Sequence, residues 1–424
     1  MATALKAGAA LASAKIDPAT YSTRAYRAGR EFLVRIEALV PRLASRAAEA
    51  EALGRVPDAS IEDLREAGMY RALVPLDRGG LEMDPASFME AVVKVSEACP
   101  SAGWVGGFFG VHAWQIALCP PEMQDDFWRN GPDARAASSY SPTGKVRSVA
   151  GGFILSGTWA FCSGIDHADW IILGGVVADG PHEPEARSFV VPRSDYTIVP
   201  DSWNVAGLRG SGSKAITLDE VFVPLGHTHL VLDAYRGTDP GLAINEGPLY
   251  RVPWLSIFYS AIGTCALGAA LGGLNWFVGD ARTRVSPLSG MPAVANPFMH
   301  VRLANGLASA QTVRDRTLAT WRAMYDTLCQ GEPLSRVDRL KSRFEFADAT
   351  ATGYQALSEV YETAGGGAIS SAKPLQRYMR DLMAMRNHPT ATREVFASLY
   401  VQALLDIPPP PFDKSTMGAL AIHG

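Results

Sequence analysis

The 424-residue sequence contains little cysteine and no large excess of charge of either sign. Its five cysteines are scattered, odd in number and form no CxxC pair; without a secretory signal, they are predicted to stay reduced in the cytoplasm. The formal net charge of -4, without a block of like charges, argues against a nucleic-acid partner. The first twenty residues lack a strong apolar run before a cleavage site, so we interpret them as a loose terminus.

Motifs of several common enzyme classes are also missing. No GxGxxG follows a predicted strand, no GxxxxGK(S/T) phosphate loop occurs, and there is no HExxH zinc motif. His227 and His229 are one residue apart but have no other candidate ligands nearby, so we interpret them as surface residues. The sequence therefore predicts no metal site.

One long stretch, from Val252 to Gly279, carries no charge and is long enough to cross a bilayer. Its polar residues and glycines nevertheless favour a helix buried on all sides over a membrane span. These residues are Ser256, Tyr259, Ser260, Gly263, Thr264, Gly268, Gly272, Gly273, Asn275 and Gly279. We therefore predict no membrane contact, and we expect this helix to find its partners within a homotetramer.

Hydrophobic periodicity divides the chain into three predicted domains. Residues 21–135 have apolar side chains at helical spacing and form a predicted N-terminal helical domain. From Ala136 onwards, short β-rich segments bounded by Gly, Pro or Asp predict a compact antiparallel sheet over residues 136–225. Helical spacing returns in residues 226–424 and persists to about Leu405. The sequence thus predicts a chain of the α+β class.

Two helix starts are predicted within the first domain. Ser60, with Asp63 three residues later, resembles a capping box, and Gly68 is expected to end that short helix. Asp84 before Pro85 predicts a second start. Proline has no backbone N–H, and in the first turn of a helix that N–H would have no partner within the helix, so proline is tolerated there.

The window of residues 157–169 is the most informative for function. It joins two predicted strands through a turn that presents the hydroxyl of Ser163 beside the aromatic residues Trp159 and Phe161. A flavin needs such surroundings, with an apolar wall for the ring and a hydroxyl near its reactive nitrogen. An ordinary β-turn whose serine bonds its own backbone would look the same, so this window leaves both interpretations open.

A second window, residues 207–214, is rich in glycine and serine. Its small residues would let backbone N–H groups approach a ligand, and Arg209 and Lys214 could meet an anion. A flexible hairpin loop is the alternative. Arg282 and Arg284 follow the uncharged stretch and could bind phosphate, or could simply cap a helix end.

The two windows, in this order and framed by helices, resemble the acyl-CoA dehydrogenase superfamily. Residues 365–367 and 377–381 are similar to its C-terminal glycine turn and RxxRD motif, and the resemblance spans about residues 30–405. It implies an acyl-CoA dehydrogenase-like α+β fold, with an N-terminal helical domain, a small central β domain and a C-terminal four-helix bundle.

Within that superfamily the sequence most resembles oxygenase components of the p-hydroxyphenylacetate hydroxylase type. The resemblance is carried by residues 55–58, 79–83, 163–168, 192–196 and 211–214. It implies a monooxygenase that takes reduced flavin, FMNH2 or FADH2, from a separate NAD(P)H-dependent reductase. With O2 it would hydroxylate a small aromatic, phenolic substrate through a C4a-hydroperoxyflavin.

The resemblance also implies roles for individual residues. Ser163 would stand against the flavin N5, while His112, Ser138 and His388 would face the substrate. His388 and His112 are the candidate bases for the phenol, because histidine suits proton transfer near neutral pH. The other implied flavin contacts are Trp104, Phe161, Ser211, Ser213, Arg251, Arg282 and Arg284.

Two departures from the family pattern matter for the substrate. Residues 385–390 contain no carboxylate where many acyl-CoA dehydrogenases have a catalytic glutamate, and this argues against a dehydrogenase of CoA thioesters. A tyrosine of the hydroxylase substrate loop is replaced by Leu288, which implies a different, larger substrate. Oxidation of an indole, nitrogen or sulfur centre, and a flavin-storing protein without catalysis, remain as alternatives.

Overall fold

The computed structural model of the protein describes residues 18–179, 184–286 and 289–413. Helices occupy the described chain before the first strand, and the apolar stripe predicted for the first helix is confirmed by the burial of Phe32, Ile36 and Leu43. These helices are α1 (Pro18–Ser45), α2 (Ala47–Leu53), α3 (Asp58–Ala67), α4 (Pro85–Ala98), α5 (Pro100–Ile116) and α6 (Pro121–Phe127).

Two helices of the first domain begin at neighbouring aspartate and proline residues. As predicted, α4 starts after Asp84, whose side chain accepts a hydrogen bond of 2.8 Å from the backbone N–H of Ser87. The predicted start at Ser60 is wrong, because α3 begins at Asp58 and Ser60 is buried inside the helix. The predicted end is confirmed, since Gly68 takes the left-handed conformation with φ 93°.

Within the described residues, the strands lie between Ala136 and Leu230 and form two four-stranded sheets, ordered β1-β4-β5-β8 and β2-β3-β7-β6. Their bounds are β1 (Ala136–Ser139), β2 (Lys145–Val149), β3 (Gly152–Trp159), β4 (Trp170–Val177), β5 (Glu185–Pro192), β6 (Thr197–Ile198), β7 (Ile216–Pro224) and β8 (Thr228–Leu230). The prediction of a wholly antiparallel sheet is wrong, because β1 and β4 are parallel. The β2–β3 hairpin lies between them in the chain and supplies the long crossover that a parallel pair needs.

Helices return after β8. They are α7 (Val231–Arg236), α8 (Trp254–Ala281), α9 (Pro297–Cys329), α10 (Arg336–Tyr361), α11 (Pro374–Arg386) and α12 (Arg393–Leu404). Helices α8 to α11 form the bundle, and α12 packs against α10.

Helix α8 is the uncharged stretch, and its neighbours come from its own chain. By length and composition it could cross a membrane, but its most apolar window is completely buried among other helices of the chain. It packs closely because glycines face α4: a Cβ on Gly268 or Gly272 would lie 2.3 Å from the carbonyl oxygens of Val93 and Glu97. Its burial therefore gives no evidence for neighbouring subunits, contrary to our expectation.

The histidines near the end of the β region do not both lie at the surface. His227 Nε2 is 3.0 Å from a carboxylate oxygen of Asp126. His229 is buried, with Nε2 2.5 Å from Oδ1 of Asp239. The surface interpretation is thus wrong for His229, whose imidazole bonds a buried carboxylate.

Candidate active site

The two sequence windows meet in the structure. The backbone N–H of Cys162 donates to the carbonyl of Lys214 at 3.1 Å, and that of Gly164 donates to the carbonyl of Ser211 at 2.9 Å. An ion pair of 2.6 Å between Lys214 Nζ and Asp166 Oδ1 joins them again. Two loops that are about fifty residues apart in the chain therefore form one surface.

A continuous hydrogen-bonded row, the serine chain, crosses this surface and consists of Trp104, Ser163, Ser213 and Ser211. The indole Nε1–H of Trp104 donates to Ser163 Oγ at 2.9 Å. Ser163 Oγ lies 2.8 Å from Ser213 Oγ, which lies 2.7 Å from Ser211 Oγ. Because an indole N–H only donates, the Ser163 oxygen is the acceptor of that bond, whereas either serine can be the donor between Ser163 and Ser213.

The RxxRD motif supports the loop that carries two of these serines. Asp381 Oδ1 accepts a hydrogen bond of 2.6 Å from the backbone N–H of Leu208, and Arg380 donates to the carbonyl of Ala206 and to Glu51. Burial raises the pKa of Asp381 to about 7. The motif therefore positions the glycine-rich loop from the α11 side.

Aromatic rings continue from the serine chain along one face of α5. Trp104, Phe108 and His112 are spaced by four residues, so their side chains share that face. Ring centroids are 4.9 Å apart for Trp104 and Phe108, and 5.6 Å apart for Phe108 and His112. The row then reaches Phe258 and Tyr140, at 5.8 Å and 6.4 Å from His112. The result is an apolar wall that runs away from Ser163.

His112 presents an unprotonated nitrogen to this wall. Its Nδ1 lies 2.6 Å from the carbonyl oxygen of Ala136 and must carry the hydrogen, because a carbonyl only accepts. Its Nε2 is buried and has no hydrogen-bond partner in the described chain. Burial lowers the pKa of His112 to about 4, so the ring is neutral at physiological pH.

His388 has the opposite arrangement. It follows the end of α11, half-buried, and its ring centroid is 5.9 Å from that of Trp104. Its Nδ1 accepts a hydrogen bond of 3.3 Å from the backbone N–H of Thr390 and lies 2.7 Å from Thr390 Oγ1. Desolvation lowers the pKa of His388 to about 4, and in the neutral ring the hydrogen is left on Nε2. His388 therefore offers a donor where His112 offers an acceptor.

Comparison with known proteins agrees with this geometry. A model of the acyl-CoA dehydrogenase C-terminal domain matches residues 260–393. The oxygenase subunit HsaA of a flavin-dependent monooxygenase from Rhodococcus jostii is 38% identical, covering 84% of this chain and 93% of the relative. The p-hydroxyphenylacetate 3-hydroxylase oxygenase component of Acinetobacter baumannii is 30% identical, covering 90% and 91%.

A solved structure gives the same result in three dimensions. The crystal structure of 3-HSA hydroxylase from Rhodococcus sp. RHA1 has a TM-score of 0.84 and 35% identity, covering 91% of this chain and 99% of that one. The chain belongs to the flavin-dependent monooxygenase oxygenase components. The predicted family and the acyl-CoA dehydrogenase fold are thus confirmed, and the enzyme uses O2 and reduced flavin from a separate reductase.

The residues around Ser163 are suited to hold a flavin. The serine chain carries no formal charge and offers a hydroxyl at Ser163. Its loop lies tightly on α5: Gly164 has φ +73°, and a Cβ there would approach the Phe109 ring to 2.8 Å. A hydroxyl and an indole held on an apolar surface match a flat, apolar ring with polar edges.

The remaining predicted flavin contacts are Phe161 and three arginines. Phe161 is 72% exposed, at φ 63°, with its ring edge against Trp203. Arg251 and Arg282 are exposed, whereas Arg284 bonds the carbonyls of Thr363 and Ala364 and pairs with Asp280. No hydrogen bond or ion pair of the described residues joins these arginines to the serine chain, so their flavin contacts stay predictions.

Sequence reasoning missed several residues of the aromatic wall. Phe108 could have been predicted, because it lies four residues from both Trp104 and His112 and so shares their helix face. No local signal pointed to Tyr140, Trp254 or Phe258, because tertiary contacts alone bring them to α5. Ser138 lies on β1, two residues before Tyr140, and is half-buried. Leu288, predicted to shape the substrate loop, is outside the described residues.

Proposed function

We propose that this oxygenase component hydroxylates a small phenolic substrate bound along the aromatic wall of α5. The observation that carries the proposal is the buried, unpartnered Nε2 of His112, an acceptor suited to a phenol O–H. The relative named p-hydroxyphenylacetate 3-hydroxylase acts, by its name, on a phenol. The aromatic wall suits a ring, since rings pack edge-to-face or offset against others.

Each residue has a distinct part in this proposal. His112 Nε2 accepts the phenol proton, which makes the ring carbon beside the oxygen more nucleophilic. His388 Nε2–H donates to the same oxygen and stabilises the negative charge that develops there. Ser163 bonds the edge of the flavin ring, held in place by Trp104 and Ser213. Bound reduced flavin supplies the two electrons with which one atom of O2 enters the substrate and the other leaves as water.

We also infer that the enzyme acts as a homotetramer in the cytoplasm. Apolar side chains are exposed on α9 and beyond α12, with Phe298 78% exposed, Val301 60% and Leu405 65%. Such patches are typical of interfaces. The five cysteines are all buried free thiols, consistent with a reducing compartment. Analytical ultracentrifugation tests the assembly, and a monomer at micromolar concentration would contradict it.

The deciding experiment supplies reduced flavin from a generic reductase and offers a panel of phenols, indoles, thioethers and amines. Product mass identifies the class of substrate, and hydrogen peroxide measures oxygen use without product. We expect phenols alone to gain one oxygen atom. Conversion of a thioether or amine with equal efficiency would contradict the phenol assignment, since such centres need no proton acceptor.

A further inference from the structure

The end of the aromatic wall farthest from the serines contains unpartnered buried nitrogens. They are His112 Nε2, Gln115 Nε2 and Trp254 Nε1, and none has a hydrogen-bond partner in the described chain. Their residues all contact Tyr140: its ring centroid is 6.4 Å from His112 and 5.3 Å from Trp254, and its hydroxyl donates to Gln115 Oε1. We name this group the Tyr140 cluster. Buried polar atoms normally have partners, so three exceptions at one place point to a ligand.

Gln115 is the most informative of the three. Its side chain is 1% exposed, yet its amide N–H groups bond nothing described. Gln124, another fully buried glutamine, donates to the carbonyls of Ala117 at 3.0 Å and Cys119 at 2.9 Å. It also accepts from Asn245 at 3.0 Å. The fold therefore supplies hydrogen-bond partners for the buried amide of Gln124, whereas the amide nitrogen of Gln115 has none in the described chain.

The position of Gln115 separates it from the reacting oxygen. It shares the α5 face of Trp104 and His112, and a helix rises about 1.5 Å per residue, so it lies about 16 Å beyond Trp104 along the axis. It is about one turn beyond His112. A group that bonds Gln115 is therefore carried on a side chain of the substrate, away from the ring carbon that is oxidised.

We propose that Gln115 Nε2 and Trp254 Nε1 form a distal subsite that donates hydrogen bonds to a neutral carbonyl oxygen on the substrate side chain. This inference rests on the proposed phenol hydroxylation and adds the class of its substituent. The recorded hydrogen-bond and ring partners of Tyr140 within the described chain include no lysine or arginine. A buried carboxylate without a cation is costly, which favours a ketone, ester or amide over an acid.

Three para-substituted phenols of similar shape test the inference: para-hydroxybenzylacetone with a ketone, para-butylphenol with no acceptor, and para-hydroxyphenylpropionate with a carboxylate. Both kcat/KM and the dissociation constant by calorimetry are measured on the full enzyme. We expect the ketone to be preferred over the alkyl phenol by about tenfold, the usual worth of one hydrogen bond to a buried partner. The carboxylate should be the poorest of the three.

Variants then assign the preference to the subsite. Gln115→Leu and Trp254→Phe should each reduce the ketone preference, in binding as in kcat/KM. Gln115→Leu, which leaves every ring of the aromatic wall in place, should also keep the values for para-butylphenol nearly unchanged. Gln124→Leu is the matched control: it should lower the melting temperature through its lost bonds and keep the ketone preference. Equal use of ketone and alkyl phenol by the parent, or an unchanged preference in both subsite variants, would overturn the inference and leave phenol hydroxylation intact. Absence of any phenol product would instead defeat the proposed function, while the calorimetric preference still decides on the subsite.

Discussion

The two ends of the α5 face differ in how their polar atoms are partnered. In the serine chain, Trp104 Nε1 and the hydroxyls of Ser163, Ser213 and Ser211 bond one another in an unbroken row. In the Tyr140 cluster, three buried nitrogens have no hydrogen-bond partner in the described chain. The first end is held in place by its own hydrogen bonds before a ligand arrives, which suits a constant cofactor. The second keeps its hydrogen-bonding capacity for whatever substrate enters, and this costs stability.

The buried imidazole of His112 in the Tyr140 cluster should make the folded protein sensitive to acid. Burial lowers the pKa of His112 from 6.5 in the unfolded chain to about 4 in the folded one. Between these values the unfolded chain binds the proton and the folded one does not, so stability is complete above pH 6.5 and is lost as pH falls towards 4. The loss from this residue is roughly 3 kcal/mol.

Urea unfolding at pH 7 and pH 4.5, for the parent and His112→Asn, measures this loss. The variant should lose less free energy of unfolding on acidification than the parent. Identical losses in the two proteins would mean that His112 is already hydrated or paired.

The same substitution should also reduce catalysis. His112→Asn retains an N–H for the Ala136 carbonyl but has no ring nitrogen to accept the phenol proton. We expect about a hundredfold lower rate of product formation, the usual effect of a lost base. Oxygen consumption should continue and appear as hydrogen peroxide. The counterpart His388→Leu removes the Nε2–H donor; a larger loss in this variant than in His112→Asn would reverse the two assigned roles.

A smaller effect is expected in the serine chain. Ser163→Ala removes one hydroxyl from the serine chain and should raise the ratio of hydrogen peroxide to product by about tenfold, the worth of one buried hydrogen bond. The comparison variant Gln115→Leu should leave this ratio unchanged with para-butylphenol. Equal uncoupling in both variants would show that the two ends are not separate in function.

The smallest effect concerns the support of the serine loop. Burial disfavours the carboxylate charge of Asp381 and raises its pKa from 3.8 to about 7. Between these values the folded chain keeps a proton that the unfolded chain releases, so stability falls as pH rises. Asp381→Asn keeps an oxygen to accept the Leu208 N–H and removes that charge. The variant should therefore gain stability relative to the parent between pH 5 and pH 8. A relative loss over that interval would indicate that the nearby arginines compensate the carboxylate fully.

Much of this protein was determined by local sequence. Prolines and aspartates began helices where backbone chemistry favours them, Gly68 ended one, and the change of period at Ala136 began the strands. The two loop windows carried Ser163, Ser211 and Ser213, because turns need small polar residues whether or not they bind a flavin. Local sequence failed for the parallel β1–β4 pair, because that pairing is long-range, and it placed the start of α3 two residues too late.

Only the tertiary structure decided which groups meet and which are left free. It showed that α8 is buried by its own chain, since its glycines fit against α4. It gave His112 and His388 opposite hydrogen-bonding roles, because the tautomer of each ring depends on a carbonyl or an N–H supplied by the surrounding backbone. The Tyr140 cluster likewise could not be predicted from the sequence. Whether a buried atom has a hydrogen-bond partner depends on all the groups around it, and these groups come from separate elements of the fold.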